Sequence, residues 1–159
     1  MNGRIKQAAK MISYFDTSVL FAAVTPSHEL HTLAQEALKR AQLAGTVAST
    51  TLHTYAELYN NLTRPRPSKL HLPPEIAYQL IVEQLGSKLM LIEMNREDYE
   101  LSLKRCADLK LVSGVIYDSL HVQAALKAKA SVLYTDNLRD FTRLVTEGDP
   151  LEVRGVRSR

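Results

Sequence analysis

At 159 residues and 17.8 kDa the chain has the length of one domain, and roughly 68–70% of an unfolded surface of that size can be buried, enough for a core without staples. Apolar residues at 45% and charged residues at 23% exclude global disorder, and a single cysteine, Cys106, excludes an internal disulfide framework or a Cys-rich zinc site. The 20 Lys and Arg exceed the 17 Asp and Glu only through Arg4, Lys6 and Lys10, so the rest of the chain is formally neutral and a strongly basic nucleic-acid-coating protein is excluded.

Residues 1–10 are polar, have no hydrophobic signal core, and read as a disordered N-terminal extension. A single domain is expected over 11–153, followed by a basic tail, 154–159, carrying Arg154, Arg157 and Arg159. Ile12 to Phe15 forms a first buried strand, and Asp16-Thr17-Ser18 ends it with three oxygen-bearing side chains. A short apolar run, Val19 to Val24, follows and breaks at Pro26-Ser27. From His28 to Ala44, residues Leu30, Leu33, Ala34, Ala37, Leu38 and Ala41 recur at helical spacing, and Gly45 stops the helix.

Thr46 to Ser49 is a short strand, after which Thr50 or Thr51 caps a helix to about Leu62 with Leu52, Tyr55, Ala56 and Tyr59 as its buried stripe. A proline-rich loop, Thr63 to Pro74, carries Arg64, Arg66 and Lys69. Pro74 opens a helix to Leu85, closed by Gly86, and Lys88 to Glu93 is a third strand. Asn95 caps a helix to about Leu109, with Glu97 and Asp98 in its first turn. Asp118 caps the next helix, to about Ala128, and Ser131 to Thr135 is the clearest strand. Asp136 to Asp140 is a loop or helix start, Phe141 and Leu144 pack inward, and the stretch after Glu147 adds one weak strand. Strands alternating with helices indicate an α/β domain with a parallel sheet. No apolar run approaches the ~20 residues of a membrane span, which with the lone cysteine fits a reducing, cytoplasmic compartment.

Asp16, Glu57, Asp118 and Asp140 all fall at strand ends or on the helices that follow, where open α/β sheets place their ligands. Taken singly, each has a bland explanation as a cap, a turn or a solvated face. Together they form a converging set, which needs a cation or protons to coexist. An all-oxygen cluster favours Mg²⁺, with Mn²⁺ able to substitute, over zinc, and such a site suits phosphodiester hydrolysis. His28 and His31 lack a third ligand of matching logic and read as solvated polar residues; His53 and His121, near the acids in sequence, read as surface or supporting residues.

In four blocks the sequence resembles the PIN domain, the ribonuclease fold of VapC-type toxins: Tyr14-Phe15-Asp16-Thr17-Ser18-Val19-Leu20, Thr50 to Leu62 with Glu57, Gly114 to His121 with Asp118, and Leu133 to Phe141. The resemblance implies a three-layer α/β/α sandwich with a central parallel sheet of about 4–5 strands. It also implies Mg²⁺-dependent endoribonuclease activity on an RNA substrate, a cognate antitoxin partner and a homodimer. It assigns metal binding and catalysis to Asp16, Asp118, Glu57 and Asp140. Where many relatives have an acid two residues after the threonine, this chain has Asn137, which becomes a neutral oxygen ligand or positioning group; Asp140 is preferred over Asp136 as the fourth acid. Thr17, Ser18 and Thr135 can hydrogen-bond the carboxylates or a phosphate. The competing expectations are a catalytically idle RNA- or protein-binding module and a housekeeping RNA-processing nuclease.

Overall fold

The computed structural model describes residues 10–43, 45–65 and 71–157. The extension at 1–9, Arg66 and Lys69 of the proline-rich loop, and Arg159 lie outside the described residues. Five strands form one sheet in the order β3-β2-β1-β4-β5, with every neighbouring pair parallel. They are β1 (Met11–Phe15), β2 (Thr46–Thr51), β3 (Met90–Ile92), β4 (Val132–Tyr134) and β5 (Glu152–Arg154). The helices are α1 (Thr17–Val24), α2 (His31–Arg40), α3 (His53–Thr63), α4 (Pro74–Tyr78), α5 (Arg96–Asp108), α6 (Val115–Lys127) and α7 (Leu138–Leu144).

Strand β1 explains the layering. Successive side chains of a strand point to opposite faces. Phe15 enters the core formed with Leu20, Leu30, Ala34, Leu58 and Ile81 from α1 to α4 and the turns after it. Tyr14 enters the opposite core, with Cys106, Val122, Leu133, Phe141 and Leu144. The result is the expected three-layer α/β/α sandwich around a parallel sheet.

Several boundaries differ from the sequence reading. Thr50 and Thr51 do not cap α3. Both stay in β2, paired with Leu91 and Ile92, and their hydroxyls donate to the carbonyls of Phe15 (2.8 Å) and Ile92 (3.0 Å). The longer strand shifts the helix start to His53, and the buried stripe becomes Thr54, Leu58 and Leu62 while Leu52 and Tyr59 are exposed. The run Val19 to Val24 belongs to α1, which Asp16 caps. Helix α2 begins three residues later than expected, because His28 Nδ1 accepts the Leu30 N–H (3.1 Å) and holds a turn there. Asp118 lies within the first turn of α6, which begins at Val115 after Gly114. The Pro74 helix widens into π-helical turns over Gln79–Leu85 before a 3₁₀ turn at Gly86–Lys88. The segment expected as a basic tail begins inside the fold: Arg154 closes β5, paired with Tyr134, and Val156 is buried.

Strand order places the functional end. From β1 the chain winds outward through β2 to β3, then crosses back to β4 on the other side of β1. The carboxyl ends of β1 and β4 therefore flank the point where winding direction reverses, the usual ligand crevice of an open α/β sheet.

Candidate active site at the carboxyl edge of β1 and β4

Asp16 follows β1 directly and caps α1. One carboxylate oxygen accepts the Val19 N–H (3.0 Å) and the Ser18 hydroxyl (2.7 Å); the other accepts the Thr135 hydroxyl (2.7 Å) from the end of β4. Adjacent parallel strands bring these residues together across 119 positions of sequence. Asp16 is 4% exposed, and burial raises its carboxyl above the ordinary value despite those donors.

Thr135 also accepts the Asn137 N–H (2.9 Å), which fixes the loop between β4 and α7. The Asn137 side-chain amide then donates to Asp118 (3.2 Å) and to Asp140 (3.0 Å). One neutral amide thus spans two carboxylates, a positioning role. Burial, and then the neighbouring charges of Asp16, Asp140 and Glu57, push the Asp118 carboxyl up to about 6, against an opposing pull from His121. Asp136 is exposed; its backbone N–H donates to the Ser18 hydroxyl (3.0 Å), so it is Asp140 that shares Asn137 with Asp118.

Glu57 stands on α3, half-buried. Its Oε2 accepts from the Thr17 hydroxyl and from His121 Nε2 (2.8 Å), while His53 Nε2 lies 3.9 Å from Oε1. Burial alone would raise this carboxyl; the bonds and charge of His121, with Thr17, hold it below the ordinary value. Sequence reasoning placed His121 too near the surface. It is 2% exposed, and the available signal was its position three residues after Asp118, on the same face of one helix. His53, also in the first turn of α3, stacks on the Tyr117 ring (centroids 5.6 Å apart).

Basic partners are sparse. Among the described residues, the pairs made by these acids are His53 and His121 with Glu57, and Arg143 with Asp140 (3.4 Å). No three His, Cys, Asp or Glu side chains of the described residues stand as a ready-made metal cage. Asp118 and Asp140 are instead bridged by the Asn137 amide. The other basic candidates lie elsewhere: Arg154 pairs with Glu152 (2.8 Å) and Arg157 with Glu29 (2.9 Å), while His31 bonds the Ala22 carbonyl (2.9 Å).

Known proteins bear on this arrangement in two ways. In structure the chain is similar to the VapBC2 complex of Rickettsia felis bound to a promoter DNA fragment, at 18% identity and TM-score 0.64, covering 91% of this chain and 98% of that one. It is similar to VapBC-1 of nontypeable Haemophilus influenzae, at 18% identity and TM-score 0.65, covering 93% and 100%. It is also similar to Mycobacterium tuberculosis VapC20, a sarcin-ricin-loop-cleaving toxin, at 14% identity and TM-score 0.66, covering 87% and 99%. No curated protein matches the chain in sequence. The family model described as PIN domain matches residues 13–145, from β1 through α7, and so spans every acid of the site. The chain belongs to the PIN-domain family.

Proposed function

We propose that the chain is a metal-dependent endoribonuclease and the toxin of a toxin–antitoxin pair, acting in the cytoplasm as a homodimer restrained by its antitoxin. The observation that carries the catalytic part is Asp118, raised to about 6 by burial and by three further acids at the strand-end crevice. Carboxylates in that state gain by binding a hard cation. An all-oxygen set in which, among the described residues, no Lys or Arg pairs with Asp16 or Asp118 fits Mg²⁺ or Mn²⁺. The similarity to VapC proteins supports the toxin part through the shared fold.

In this reading Asp16, Asp118 and Asp140 hold the ion. When bound, it activates water and stabilises charge on the phosphoryl oxygens. Ser18, Thr135 and the α1 N-terminus keep Asp16 aimed. Asn137 keeps Asp118 and Asp140 in register. Glu57, kept ionised by its donors, orients the attacking water and accepts its proton.

RNA cleavage with Mg²⁺, Mn²⁺ or excess EDTA tests the reading. Wild type is expected to cut only with metal, and Asp16→Ala and Asp118→Asn each to lose about 100-fold or more, since metal-centred charge stabilisation is worth several kcal/mol. Equal cleavage by wild type and Asp16→Ala would reject it. Expression in a host without an antitoxin tests the toxin part separately: unimpaired growth at high expression rejects that part and leaves the nuclease standing.

A further inference from the structure

We propose that His121, braced by Tyr14, is a positioning residue that fixes the orientation of the Glu57 carboxylate. The proposal rests on the role given to Glu57 above, and goes beyond it to the groups that hold that side chain in place.

A buried imidazole must have both ring nitrogens satisfied. At His121 both are. Nε2 lies 2.8 Å from Glu57 Oε2, and Nδ1 lies 2.8 Å from the Tyr14 hydroxyl. An ionised carboxylate only accepts, so Nε2 carries the proton of that bond. Tyr14 is fully buried on the central strand β1, whose backbone is paired on both sides, with β2 and with β4. The imidazole is enclosed by the rings of Tyr14 (5.9 Å between centroids), His53 (6.2 Å) and Phe141 (6.3 Å). Turning the ring would break the bonds at both nitrogens.

Glu57 is a long side chain on a different helix, and holding it in one rotamer costs entropy. His121 and the Thr17 hydroxyl both engage the same oxygen, Oε2. Among the described residues, Oε1 is left with only His53 Nε2, at 3.9 Å, beyond hydrogen-bond distance. One oxygen is anchored and the other is presented. In metal sites a carboxylate commonly orients a ligating histidine through its second nitrogen; here the imidazole orients the carboxylate.

The experiment uses the full chain, purified metal-free and then loaded with Mn²⁺. Six variants are compared with wild type: His121→Leu, His121→Gln, Tyr14→Phe, Glu57→Gln, Glu57→Ala and the double variant His121→Leu with Glu57→Gln. Mn²⁺ affinity is read by calorimetry, cleavage by kcat, folding by circular dichroism, and the His121 Nε2 proton by NMR. His121→Leu is expected to lose about 10- to 100-fold in affinity or kcat, the usual effect of removing a group that orients a ligand. His121→Gln keeps an N–H donor near the Nε2 position and is expected to recover most of that loss; a purely packing role would not favour the polar Gln over Leu. Tyr14→Phe is expected to lose less than His121→Leu. His121→Leu added to Glu57→Gln is expected to cost little more than Glu57→Gln alone, because both act through one side chain.

The proposal is overturned if His121→Leu binds and cleaves as wild type does, if Gln is no better than Leu, or if the two losses add. Should His121→Leu not fold, Tyr14→Phe, which removes one hydroxyl, decides: wild-type behaviour overturns the proposal. Should wild type cleave no RNA, the nuclease reading alone fails. The Nε2 proton then decides: protection in wild type and its loss in Glu57→Ala, which removes the acceptor altogether, support the link, and no difference overturns it.

Discussion

Asn137 and Asp118 carry the electrostatics of the site. Removing the Asn137 amide leaves Asp118 and Asp140 without their shared donor, so Asn137→Ala is expected to lower kcat about tenfold or more through misplacement, checked by single-turnover cleavage. The Asp118 carboxyl sits at about 6, well above its value in an unfolded chain. The folded protein therefore binds a proton that the unfolded chain has released, and metal-free stability should rise as pH falls from 7 towards 5. Thermal unfolding in EDTA checks the sign. Mn²⁺ competes with that proton, so apparent affinity should fall below about pH 6 and level off above it, checked by calorimetry across that range.

The elements bring these residues to one place through their ends. Helix α1 begins on Asp16, so one carboxylate both caps a helix and faces the crevice. Helix α5 shows a structural cap by contrast. The Asn95 side chain accepts the Asp98 N–H (3.0 Å), and Asp98 returns a bond from the Asn95 N–H (2.8 Å). Asn95→Ala should cost about 1 kcal/mol in urea unfolding and leave cleavage unchanged. That cap was legible in sequence, because Asn-x-x-Asp before a helical run is a local signal. The start of α3 was not: Thr50 and Thr51 are equally good caps and strand residues, and only pairing with β3 settles them in β2. The α3 stripe moved with that boundary, since a shift of one position rotates a helix by about 100°.

Across the whole molecule, two buried cores and a few long-range ion pairs hold the layers. Lys127 on α6 reaches Asp98 on α5, and Arg105 on α5 reaches Asp149 (2.7 Å) after α7. Burial would raise both acids, but Lys127 with the Asn95 cap and Arg105 with Thr146 hold them below the ordinary carboxylate value. Their contribution is complete above about pH 4 and is lost as pH falls through the lower folded values, the opposite sign and a lower window from Asp118. Lys127→Met should therefore raise the midpoint of acid unfolding, followed by circular dichroism.

The sequence by itself determined the alternation of strands and helices, the acids at strand ends, and the blocks resembling a PIN domain. Those features are local: apolar period, capping residues and turn residues act over a few positions. The tertiary structure alone decided which strand ends are neighbours, that Asn137 spans Asp118 and Asp140, and that His121 is buried between Tyr14 and Glu57. Tyr14 and His121 are 107 residues apart, and their contact exists because the sheet order sets β1 beside β4 with α6 packed over them. No local pattern encodes that adjacency; it follows from the burial of two apolar faces against one sheet.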